Sequence, residues 1–178
     1  MRRLIVMGLA GVMLLAPAVG CKRKRRTPAE AAQQTPSEPA TMLGTADPRA
    51  ALQLIKGFHE VENGGWRWSA KDFSAALKPP ASAPTKGAAL LLKFTVMDVS
   101  LAKLGPMSLS AKVGPTQCPV QRYEKAGEYE YKCDIPAANF LGPGLVAVNF
   151  SLDKALPATE TDQRELGLVV AMIGFEAK

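Results

Sequence analysis

After Gly57 the hydrophobic pattern of the chain repeats every two residues. Leu90, Leu92, Phe94 and Val96 fall on one face of a strand, and Met107, Leu109, Ala111 and Val113 do the same against Ser108, Ser110 and Lys112. Val146, Val148, Phe150 and Leu152 continue the alternation, with Ala147, Asn149 and Ser151 opposite. Such alternation marks strands that are buried on one side. Residues 166–175 are apolar on both faces, as a central strand covered from both sides would be. Shorter strands are expected around residues 57–60, 66–70 and 72–77. Lys78-Pro79-Pro80, Gly105-Pro106, Gly114-Pro115 and Gly142-Pro143-Gly144 punctuate the runs. Eight or nine short strands at this spacing predict an all-β domain, a jelly-roll-like antiparallel β-sandwich. One short N-terminal helix is expected, with Asp47 as N-cap, Pro48 in the first turn and residues 49–56 ending at Gly57.

The first 20 residues follow a different pattern. Arg2 and Arg3 precede an uncharged apolar run to Val19, and Ala18-Val19-Gly20 lead to Cys21. A basic head, a short apolar body and small residues before a cleavage point describe a secretory signal peptide. Ending on a cysteine, it resembles the lipobox of a bacterial lipoprotein precursor, although Ala18 stands where that group most often has Leu. The resemblance implies that Cys21 is acylated and becomes the first mature residue. The rival reading is a retained membrane span. The run falls short of the roughly 20 apolar residues a span needs, and Pro17 interrupts it.

Lys22, Arg23, Lys24, Arg25 and Arg26 follow and read as an electrostatic clamp onto anionic head groups, each worth about 1 kcal/mol near the surface. Lys22 after the lipidated cysteine resembles an outer-membrane sorting signal. Residues 27–45, rich in Ala, Pro, Gln, Ser and Thr, read as a flexible tether. The expected organisation is therefore a signal at 1–20, lipidated cysteine, basic cluster and tether at 21–46, and a β-sandwich at 47–178. Localisation would be the bacterial cell envelope, held by lipid at the outer membrane.

Charge and cysteine content narrow the function classes. The formal charge of +6 belongs mostly to the signal and the clamp. From Ala46 onward, 15 Lys and Arg face 14 Asp and Glu, so the domain is nearly neutral and gives no electrostatic case for nucleic acid. Of three cysteines, Cys21 is the anchor and Cys118 and Cys133 remain. In an oxidising compartment they are expected to form a disulfide, facing each other across a hairpin of residues 118–124 and 128–133. The alternative is a pair of buried free thiols. His59 is the only histidine, so no metal site and no cofactor is expected.

Four segments carry a further resemblance. They are the residues from Gly57-Phe58-His59-Glu60 to Trp66-Arg67-Trp68-Ser69, then Leu104-Gly105-Pro106, Phe150-Ser151-Leu152-Asp153-Lys154-Ala155-Leu156-Pro157 and Arg164-Glu165-Leu166-Gly167-Leu168-Val169-Val170. Together they resemble a small bacterial jelly-roll domain similar to galactose-binding-like modules. The resemblance implies a binding module with glycan as ligand, and transfers no particular binding residue. From the residues themselves, Trp66 and Trp68 share one face of a strand, either as a sugar-stacking platform or as core. His59 and Glu60 precede that strand, and Arg164 lies in a polar loop before an apolar one. These five are the candidate ligand residues. No nucleophile, phosphate-loop or metal motif is present, so a non-catalytic envelope binding module is expected, with an envelope protein–protein adaptor or structural lipoprotein as the alternative and a hydrolase as a remote one.

Overall fold

The structure, a computed structural model, describes residues 38–178. The signal, Cys21, the basic cluster and most of the expected tether lie outside the described residues. The strands are β1 (Met42–Gly44), β2 (Leu54–Glu62), β3 (Trp66–Leu77), β4 (Ala88–Val96), β5 (Met107–Val113), β6 (Thr116–Gln117), β7 (Gln121–Tyr123), β8 (Gly127–Ile135), β9 (Val146–Leu152) and β10 (Val169–Ala177). Every strand pairing is antiparallel. As the period-two pattern predicted, the fold is all-β, a jelly-roll-like antiparallel sandwich curled almost into a barrel. One continuous ladder runs β6-β5-β9-β3-β10-β4-β8, with β1 on β10, β2 on β3 and β7 on β5.

The alternating residues form the core. All four of Leu90, Leu92, Phe94 and Val96 are buried, as are Met107, Leu109, Ala111 and Val113. Phe73 stacks on Phe150 with centroids 4.9 Å apart, and Tyr131 meets Phe150 edge-on at 6.5 Å. The doubly apolar segment supplies β10 from Val169 onward, which lies between β3 and β4, while Leu166, Gly167 and Leu168 precede the strand. The sheet also takes in part of the expected tether: Thr41 and Met42 pack so closely on β10 that a Cβ at Gly174 would stand 2.6 Å from the Thr41 carbonyl oxygen.

The Cys118–Cys133 disulfide is present, with Cα atoms 5.8 Å apart, but the expected hairpin is not. β7 pairs with Met107, Ser108 and Leu109 of β5, whereas β8 pairs with β4 in nine consecutive registers. Nine ladder positions with Leu90, Leu92 and Phe94 opposite outcompete a local pairing of three residues. The bond therefore joins the two ends of the curled sheet. Beside it Tyr131 Oη donates to the Pro119 carbonyl at 2.8 Å, and the Tyr123 and Tyr129 rings approach to 4.8 Å. Tyr129 packs on Phe94, its ladder partner, and Tyr131 is paired with Leu92.

The N-terminal helix is shorter than expected. Asp47 caps and Pro48 opens a single 3-10 turn over Pro48–Leu52. Buried Gln53 then ends it: its side chain bonds to both the N–H and the carbonyl of Ala40 and to the carbonyl of Ala76. A segment this short has little helical stability of its own, so tertiary pairing decides. Two α-helices were not foreseen, α1 (Ala83–Lys86) and α2 (Asp98–Leu104). Gly105, at φ 70°, ends α2, and Pro106 follows it.

Candidate functional site

Between β9 and β10 the chain makes a long excursion, residues 153–168, held as a compact loop. A connection of this length without regular structure is uncommon in a small domain and usually functional. Its base is closed by Leu156 and Leu166, which exchange backbone hydrogen bonds at 2.8 and 2.9 Å. On the incoming side Asp153 bonds reciprocally with Ser108. Lys154 Nζ donates to the carbonyls of Leu104 and Pro106, both at 2.8 Å, which ties the loop to the end of α2. On the outgoing side Ser69 holds the strand entry through Gly167 N, Leu168 N and Leu168 O. Gly167 is required by space: a Cβ there would lie 2.6 Å from Leu152 Cδ1 and 2.8 Å from the Ala70 carbonyl.

Arg164 clasps the loop. Its Nε and Nη2 donate to Asp162 at 2.9 and 2.8 Å, and its Nη1 donates to Glu62 at the end of β2, 2.6 Å away. The guanidinium beside it holds the Asp162 carboxyl down at about 2, and the two carboxylates push Arg164 above its ordinary value. His59 Nε2 lies 2.7 Å from the Glu165 carbonyl; because a carbonyl only accepts, the proton is on Nε2. Glu165 Oε1 accepts from Lys71 N at 2.7 Å.

These restraints shape a pocket of about 530 Å³, within the roughly 300–1,000 Å³ typical of small-molecule sites. Trp68, Val99, Leu104, Leu156, Pro157 and Leu166 supply its apolar walls, while Lys103, Thr159, Asp162 and Arg164 make the polar part. Trp68 is only 7% exposed and meets Trp66 edge-on at 84° with centroids 6.4 Å apart. The pair therefore offers no flat platform.

Of the five candidates, Trp68 and Arg164 meet in the pocket; Trp66 stands behind Trp68, His59 buttresses the loop, and Glu60 is exposed away from the lining. Sequence reasoning missed Val99, Lys103 and Leu104, whose signal was the Gly105-Pro106 stop after a helical turn. It also missed Leu156, which sits in an irregular loop where no period points to burial, and it placed Leu166 in the central strand, whereas Leu166 lies in that loop, before β10. The four segments that carry the jelly-roll resemblance each supply a wall residue, namely Trp68, Leu104, Leu156 and Leu166. No protein-family model, curated protein or solved structure matches the chain.

Proposed function

We propose that the chain is a non-catalytic binding module of the bacterial cell envelope, tethered through Cys21, and that the pocket around Trp68 receives a small, mostly apolar molecule. The observation that carries this reading is a pocket with six apolar wall residues, closed by a loop pinned at both feet. A site that is shaped before the ligand arrives does not have to order a loop on binding. Its polar groups are largely spent on structure, since Arg164 serves Asp162 and Glu62 and Thr159 closes the loop tip on Asp162. This favours desolvation of an apolar body over recognition of many hydroxyls. Asp162, the carboxylate in the lining, is held near 2 and is too weak a base for proton transfer near neutral pH. In this reading attachment rests on Cys21 and on Lys22 to Arg26; among the described residues no helix is long and apolar enough to cross a membrane.

Of the chain's two tryptophans, Trp68 lines the pocket and Trp66 packs against it, so intrinsic fluorescence reports on the site. Titration of the full-length chain with the neutral dye N-phenyl-1-naphthylamine is expected to change tryptophan emission saturably. Val99 lines the pocket and is 44% exposed, so Val99→Phe narrows the space without burdening the core. It is expected to weaken the dye about tenfold or more, the loss of about 1.4 kcal/mol. Equal affinity of Val99→Phe and the parent would reject the pocket as the site.

A further inference from the structure

We infer a second site, on the outer face of β2, β3, β9 and β5, that binds an acidic glycan. Ladder register places two polar rows side by side there. One row is Asp72, Ser151 and Ser110; the other is Lys56, Asn149 and Lys112, linked in register through Ser74, which is itself buried. The buried neighbours Phe73, Ala111 and Phe150 point the other way, into the core, so the exposed face carries hydroxyls, an amide, a carboxylate and two ammonium groups. The rows border a depression of about 250 Å³, lined among others by Lys56, Asp72, Lys112, Asn149 and Ser151. It is separate from the Trp68 pocket and shares no residue with it.

The chemistry is selective. Lys56 and Lys112 take part in none of the ion pairs among the described residues. They stand three strand spacings apart, about 14 Å, a distance that successive acidic sugars of one chain can bridge when both side chains lean inward. Between them Asp72, in the lining of the depression, accepts from Ser151 Oγ at 2.6 Å through Oδ1, which orients the carboxylate and leaves Oδ2 without a hydrogen bond among the described residues. A bare polyanion has no donor for that oxygen and is repelled by it; a sugar hydroxyl donates to it. An acidic protein segment would need apolar or aromatic anchors, and the apolar residues in the lining, Phe73, Ala111 and Phe150, are buried. Charged groups at the ends and hydroxyl-matching groups between them together specify a glycan bearing carboxylates.

The test is calorimetric titration of the purified full-length chain with tetragalacturonate, neutral cellotetraose and polyphosphate. Tetragalacturonate is expected to bind, at millimolar or better affinity, more tightly than either comparator and more weakly as salt is added. Lys56→Gln with Lys112→Gln should weaken it about tenfold, as loss of two exposed charge contacts implies. Asp72→Asn should also weaken tetragalacturonate while strengthening polyphosphate, a sign reversal that charge attraction alone cannot produce. Val99→Phe should leave tetragalacturonate unchanged, so failure of the pocket and failure of this face are told apart. Absence of tetragalacturonate binding, equal binding of cellotetraose, or tighter tetragalacturonate binding by Asp72→Asn would each overturn the inference. Melting curves of the surface variants that coincide with the parent establish that the fold is intact.

Discussion

Replacing Cys118 and Cys133 together by Ala is expected to cost about 3 kcal/mol. The two residues are 15 apart in sequence, and closing a loop of that length removes entropy from the unfolded chain and so raises its free energy by about this much. The bond also joins the outer ends of the curled sheet, which share no ladder among the described residues. Without it the seam keeps the Tyr131–Pro119 hydrogen bond and the Tyr123–Tyr129 ring contact, each worth on the order of 1 kcal/mol. For a folded unit of about 140 residues, 3 kcal/mol lowers Tm by about 10–15 °C.

Thermal unfolding followed by circular dichroism measures the shift, with and without a reductant. Reductant should lower the parent's Tm to that of the double variant and leave the double variant unmoved. Amide exchange should accelerate at Gln121–Tyr123 more than along β8, whose nine registers with β4 are untouched. A Tm loss below about 3 °C, equivalent to less than 1 kcal/mol, would refute the view that the disulfide closes the sheet.

Three further outcomes follow from the packing and the clasp. Gly167→Ala should destabilise the domain by about 1–3 kcal/mol and speed amide exchange at Leu166 and Leu168, because the new methyl collides with Leu152 and the Ala70 carbonyl. Phe73→Ala should cost about 3–5 kcal/mol in denaturant unfolding, since Phe73 is fully buried and stacked on Phe150. For the Asp162–Arg164 clasp the folded carboxyl is depressed from its ordinary 3.8 to about 2. Its contribution is therefore complete above about pH 4 and is lost as pH falls through 2. Exchange at Arg164 and Leu166 should stay slow from pH 8 to pH 5 after correction for intrinsic rates and speed up only below about 4. In Arg164→Met that acid-dependent step should be absent.

The β architecture was legible because its signal is repetitive. Leu90 to Val96, Met107 to Val113 and Val146 to Leu152 each supply several alternations, and a slip of one residue in any of them would turn the core face outward. The disulfide was legible as a pair, since only Cys118 and Cys133 remained, but the strands that carry it were not. Local spacing suggests a hairpin there, whereas the pairing is decided by the non-local match of β8 to β4. Asp47 and Pro48 announced a helix start correctly, yet the stop came early because Gln53 is recruited by Ala40 and Ala76, an interaction with no local trace. The pocket was half visible. Trp68 and Arg164 stood out as unusual residue types, while Val99 and Leu104 of α2 and Leu156 and Leu166 of the loop are ordinary aliphatics that meet only because the irregular loop packs on the helix.

The central claim, that the Trp68 pocket receives a small apolar molecule, is tested most directly by mapping methyl chemical shifts while N-phenyl-1-naphthylamine is added to the full-length chain. The account predicts saturable shifts at Val99, Leu104, Leu156 and Leu166, which line the pocket. It predicts none at Leu52, Ile55, Val120 and Leu141, which are exposed elsewhere. Shifts at those exposed methyls instead, or no saturation at the pocket methyls, would contradict it.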